Sequence, residues 1–156
     1  MSRTLIAESD VLSSAEAECY ITLNGRRYNA IHALSCEASY EKVKKELPRL
    51  GSRTKGTKTV GGKGTGKMTL YYVSSVFRRA AIEYIHTGKD VFFDTQITNE
   101  DSTSSIGRQT VILKNCNFDK ILLAKFAADG DFLQEDMDFT FSDVEMPEEF
   151  SDFAGL

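Results

Sequence analysis

Between Gly51 and Lys67 the chain reads GSRTKGTKTVGGKGTGK, with no acid and a single apolar side chain, Val60. Such a stretch cannot build a packed core of its own. Read alone, it is an extended basic loop over about residues 44–66, flexible until a partner orders it, or a cradle for phosphate groups. Gly61, Gly66 and Lys67 do fit G-x-x-x-x-G-K, but Met68 stands where a Ser or Thr would hold magnesium. A phosphate-binding loop also follows a buried strand and opens a helix. Here Lys55 to Thr59 are polar, and Met68 to Val73 read as a strand. A nucleotide-binding enzyme is therefore the weakest reading.

The 156 residues fit one domain, 1–156, able to bury a sizeable core. No apolar run reaches the 18 or so residues of a membrane span, and Met1 to Asp10 carry no signal-peptide pattern, so synthesis in the cytosol is expected. Cys19, Cys36 and Cys116 lie far apart among apolar residues and read as small core side chains. His32 and His86 make no ligand pair, so no metal, cofactor or catalytic constellation is expected.

The net charge of −4 hides strong segregation. Nine Lys or Arg residues and one acid, Glu46, fall between Lys42 and Lys67. After Lys125 there is no basic residue, and ten acids follow, with an acidic C-terminal segment at 143–156. Opposite charges on separate parts of one molecule can attract between copies. This points to Arg53, Lys55, Lys58 and Lys63 meeting Glu148 and Glu149 of a neighbour. The alternative is two solvated faces. Nucleic-acid binding is disfavoured, because no aromatics interleave with the basic stretch and the acidic remainder repels phosphate.

Alternation dominates the rest. Cys19 to Leu23 reads as a strand, closed by Asn24-Gly25, a hairpin signal that tolerates positive φ. Tyr28 to Tyr40 reads as one long strand with Glu37, Ser39 and, just beyond, Glu41 on its polar face. Lys67 to Val73 is a strand. Ser74 or Ser75 then caps a helix ending near Thr87, with Gly88 at its C-terminus. Strands follow over Asp90–Thr98, Arg108–Phe118 and Lys120–Ala128, the first two separated by a polar loop. After a turn at Asp129-Gly130-Asp131, Phe132–Ser142 alternates sharply, with Asp136, Asp138 and Thr140 outward. About seven strands and one helix make a mainly β (α+β) chain, an antiparallel β-sandwich or barrel-like fold with one flanking helix.

The order of these parts resembles the tail tube proteins of PBSX-like phages and phage-tail-like bacteriocins. The resemblance rests on GTKTVGGKGTGKMTLYYVSSVFRRAAIEYIHTGKD and on FTFSDVEMPEEFSDF, and runs from about Gly56 to Phe153. It implies two packed antiparallel sheets with a flanking helix, and copies that close into hexameric rings stacked as a hollow tube. It also implies a surrounding contractile sheath, baseplate and tape-measure proteins as partners, and DNA sliding unbound through the bore of a phage. The particle tail is the expected location, after synthesis in the host cytoplasm. The long early loop typically reaches the neighbouring ring, which here falls on about Lys44 to Lys63. The lumen candidates are Glu37, Ser39, Glu41, Asp136, Asp138 and Thr140, although alternation alone leaves open which side of the sheet meets the bore. The other reading of the same resemblance is a secreted ring-forming tube protein of a type VI-like secretion system.

Overall fold

The computed structural model describes residues 17–29, 33–72, 75–100, 107–126, 128 and 133–151. Eight strands and one helix follow in order: β1 Glu18–Leu23, β2 Arg26–Asn29, β3 Ala33–Leu47, β4 Gly56–Tyr71, α1 Val76–Thr87, β5 Phe93–Glu100, β6 Arg108–Lys120, β7 Gln134–Phe141 and β8 Asp143–Glu148. Several expectations fall outside the described residues. They concern the first dozen residues, His32, Ser74, most of the loop after Glu100, the turn at 129–131, and Phe153.

All strand pairings are antiparallel. β2-β1-β5-β6-β8 form one sheet and β6-β7-β4-β3 the other. β6 belongs to both. Its first part pairs with β5 and β8, and its last residues, Asn117 to Lys120, pair with β7. The strand changes sheets near Asn115, which has a positive φ of 54° and donates its backbone N–H to Asp94 Oδ1 at 3.2 Å. Asn tolerates this left-handed conformation better than most side chains. The chain itself crosses between sheets at Ser142, whose N–H reaches Lys114 O at 3.2 Å.

Between the sheets lie Ile21, Leu23, Met68, Leu70, Phe93, Leu113, Cys116, Met137 and Phe139. On β1, β4 and β7 they occupy alternate positions, as a half-buried sheet requires, whereas Leu113 and Cys116 of β6 are three apart across the bend at Asn115. Each such side chain contributes about 1.5–3 kcal/mol when fully buried. Helix α1 closes one side of this core. Phe77 meets Phe118 edge-on at 4.8 Å between ring centroids and Phe93 at 5.8 Å. Arg78, nearly buried, pairs with Glu135 of β7 and lies over the Tyr72 ring. Ser75 stands at the N-cap without a side-chain hydrogen bond. Gly88 adopts φ 74° and donates to Tyr84 O, ending the helix where the sequence indicates.

Four expectations need correction. The basic stretch is not a loop. Gly56 to Tyr71 is a strand paired along its length with β3, so only residues 48–55 connect the two. The P-loop look-alike at Gly61–Lys67 lies inside this strand, and Met68 to Tyr71 continue the strand where a helix would have to open. The single strand expected over Tyr28–Tyr40 is divided into β2 and β3, and β3 runs on to Leu47. Finally, 121–126 is not a strand, while the acidic segment yields β8. Ile121-Leu122-Leu123-Ala124 is apolar but lacks period-two alternation, whereas β8 is exposed throughout and had no burial signal to show.

Candidate functional site

The glycines of β4 explain how a chain so poor in side chains stays in a sheet. Gly62, Gly64 and Gly66 recur every second residue, so they share one face. Rings from the flanking strands lie across them. A Cβ at Gly66 would stand 2.2 Å from Phe139, one at Gly64 2.5 Å from Phe141, and one at Gly62 2.0 Å from the Tyr40 hydroxyl. At Gly66 glycine is required by the close approach of the buried Phe139 ring, not for flexibility, whereas the exposed Tyr40 over Gly62 can move aside.

The opposite face of β4 carries Lys63, Thr65, Lys67 and Thr69. In register, Lys67 stands between Glu37 of β3 and Asp138 of β7, and Thr65 between Ser39 and Thr140. Glu41 faces Lys63. Thr69 donates its hydroxyl to Asp136 Oδ1 at 2.8 Å. Directly opposed antiparallel residues share a face. The six residues Glu37, Ser39, Glu41, Asp136, Asp138 and Thr140 therefore come together on one three-stranded surface. A shallow depression of about 490 Å³ runs over its middle, lined in part by Glu37, Thr65, Lys67, Asp119 and Asp138.

Sequence reasoning missed the central row of this surface. The alternation Lys63, Thr65, Lys67, Thr69 against Gly64, Gly66, Met68, Leu70 was present in the sequence, masked by reading the glycines as loop. Asp119, at the register shift of β6, had no periodic signal. With the row included, the face is mixed: the acids flank two lysines, and repulsion of phosphate is weaker than the acids alone suggest.

The residues expected to form stacking contacts are not gathered in one place. β7 pairs with β4 only from Gly64 onward, so Gly56–Lys63 has β3 as its one strand neighbour among the described residues. These eight residues extend about 25 Å as a two-stranded ribbon. Lys58 sits on this ribbon opposite Lys45, Lys63 at its base, and Arg53 in the exposed turn. Lys55 approaches Glu46 at 3.5 Å within the same hairpin, an exposed pair worth about 0–1 kcal/mol. The ribbon also exposes Val43, Leu47 and Val60, and its turn exposes Leu50.

Glu148 ends β8 and is engaged within the chain. It accepts from Thr110 Oγ1 at 2.7 Å and lies 3.7 Å from Arg108, while Glu149 follows, exposed. The Arg108 guanidinium is held above its usual pKa by its hydrogen bond to Glu100, with the charges of Glu100 and Glu148 adding to it. Lys114 is raised likewise by Glu145, 2.8 Å away. The acidic segment thus pairs with two basic side chains of the neighbouring strand, β6. Among the described residues, no three His, Cys, Asp or Glu side chains are placed to hold a metal.

Residues 4–148 match the family described as phage tail tube protein. The chain is 38% identical over 121 residues to "Phage-like element PBSX protein XkdM" of Bacillus subtilis (strain 168), covering 78% of this chain and 82% of that one. In fold it is similar to a chain of the anti-feeding prophage baseplate, with TM-score 0.63 at 8% identity, covering 94% and 97% of the two chains. It is similar again to a chain of an extracellular contractile injection system's sheath/tube terminator in the extended state, with TM-score 0.62 at 12% identity, covering 91% and 100%. The family match spans nearly the whole strand succession and the B. subtilis relative aligns over most of both chains, so this chain belongs to the phage tail tube protein family.

Proposed function

We infer that this tail tube subunit closes into six-membered rings, and that the rings stack into a hollow conduit with the β3–β4 ribbon of each subunit seated on the adjoining ring. The observation that carries this reading is the ribbon. An isolated two-stranded hairpin is at best marginally stable in water. This one leaves its sheet for about 25 Å with exposed apolar residues and a basic turn. Such a projection gains stability by lying against another copy, and a heterologous contact of this kind propagates along an axis.

The polar face of β3, β4 and β7 lines the bore in this reading. Its threonines, serine and mixed charges keep it wet and without an apolar patch to hold a passing polymer. The role is structural, with no catalysis. Its partners are other copies, then sheath, baseplate and tape-measure proteins, with DNA passing unbound where the particle carries it. The subunit is made in the host cytoplasm and resides in the tail.

Electron microscopy of the purified protein tests the assembly, with tubes of stacked rings as the expected outcome. Replacing Lys55 and Lys58 by Glu should leave the thermal midpoint within about 2 °C, because the ribbon adds little to the core, yet shorten or abolish tubes. A Glu37→Cys subunit tests the bore. In tubes it should react with a small maleimide and resist a bulky polymer-linked one. Equal reaction with both would place that face outside.

A further inference from the structure

A groove of about 410 Å³ opens between the second half of α1 and the chain that leaves β6. The small side chains of Ala80 and Ala81 leave its helix side open, and Tyr84, Ile85 and Leu123, each at least half exposed, give it apolar walls. Asp90 and Asp119 are its acids, and Lys120 is its one cation. The groove is held in shape from both sides. Phe77 of α1 packs edge-on against Phe118, and Asp90, just after the helix, accepts from Asn117 Nδ2 at 3.0 Å. The β6 wall, Asn117 to Lys120, runs antiparallel to β7, as does β4 on the other side of β7. Wall and ribbon therefore lie along one line, to within the twist of two strand pairs. They lie toward opposite ends of β7. The ribbon leaves the sheet beside Phe141, whereas the chain after Lys120 continues toward Gln134, whose carbonyl accepts from Lys125 Nζ at 2.9 Å. A subunit thus points its ribbon away from its own groove. The ribbon carries matching chemistry. Val43, Lys45 and Leu47 alternate along β3 and share a face, with Lys58 directly opposite Lys45. Val43 and Leu47 are exposed, and Leu50 in the turn is fully exposed.

We propose that this groove is the seat of the ribbon: the face carrying Val43, Lys45 and Leu47, with Leu50 at its tip, docks in the groove of a second copy in the adjoining ring. The inference rests on the stacked-ring reading above and adds to it the surface that receives the ribbon. A cavity of this size admits side chains but not the backbone of two strands, so the ribbon lies across the opening with its apolar side chains inserted. Leu47 and Leu50 then displace water from Tyr84, Ile85 and Leu123, all of them exposed in the single subunit. Lys45 and Lys58 come beside Asp90 and Asp119, where opposite charge fixes the register of docking more than its strength. Because ribbon and groove face opposite ways on one chain, the contact is heterologous. Each copy fills one groove and offers another, and the pairing repeats along the column.

The test uses full-length protein carrying the photo-crosslinker p-benzoylphenylalanine in place of Leu50. It is mixed as a minor share with wild-type subunits, so that tubes form around it. After irradiation, the band of two-subunit size should yield ribbon peptides joined to peptides containing Tyr84 and Ile85 or Leu123. Leu123→Asp and Ile85→Asp change exposed side chains, so each should leave the thermal midpoint within about 2 °C. Each should also raise the protein concentration needed for tubes by about tenfold or more, the factor for losing one buried aliphatic contact. Tubes that form normally but crosslink Leu50 to another surface overturn the seat and leave the stacking of rings intact. Crosslinks confined to single subunits, or an unchanged tube threshold in both Asp variants, also overturn it. Wild-type protein that forms no tubes overturns the stacked-ring reading and the seat with it. The crosslink map decides the matter even where a variant fails to fold.

Discussion

At the scale of single residues, the β4 glycines do the opposite of what glycine usually signals. Gly66 lies under Phe139, which is fully buried and has no room to swing away. Gly66→Ala should therefore cost about 1–3 kcal/mol by overpacking. Gly61, with nothing within 4 Å of the place a Cβ would occupy and no positive φ, is the control. Gly61→Ala should be neutral or stabilise by up to about 1 kcal/mol. Urea titration of both variants measures the contrast, and equal losses would show that the rings are not what selects glycine. The sequence showed the glycines but not their neighbours. Phe139 is 73 residues away from Gly66, and nothing local says that their strands pair. The polar faces of β3 and β7 were legible for the converse reason: alternation along each strand is local, and the register then aligned the two sets through Lys67 and Thr65.

At the scale of elements, what was local was readable. Helix α1 stops at Gly88, and β1 turns at Asn24-Gly25 with φ 53° and 78°. The ribbon was not readable, because glycine and lysine are poor strand formers and its pairing is earned by the long partner β3. That dependence has a measurable side. Beyond Gly64 the ribbon has no third strand among the described residues, so it should open independently of the core. In the free subunit, amide hydrogens over Gly56–Gly62 should exchange far faster than those of Met68–Tyr71, although both lie in β4. In assembled tubes the ribbon amides should become protected. Strong protection before assembly would mean that the ribbon needs no neighbour.

At the scale of the whole molecule, the charge segregation is partly consumed at home. Glu145 and Glu148 answer Lys114 and Arg108, while the ribbon's lysines face solvent apart from Lys55 beside Glu46. Charge contacts between rings would be exposed and screened by salt. Turbidity or microscopy should then show tubes forming more slowly at 1 M salt than at 0.05 M, with the apolar residues of the ribbon sustaining some assembly. Indifference to salt would assign stacking to apolar and backbone contacts alone. The mainly β class and the flanking helix were legible as a whole, since they follow from counting local patterns. Membership of β6 in two sheets was not, because a bend at one asparagine decides it. The ribbon itself leaves the body once per chain. In the stack we infer, every ribbon therefore points the same way, and the two ends of the finished column are chemically unlike. One end displays bare ribbons and the other displays empty seats. The component that begins such a column and the one that ends it therefore meet different surfaces. No single capping protein can do both.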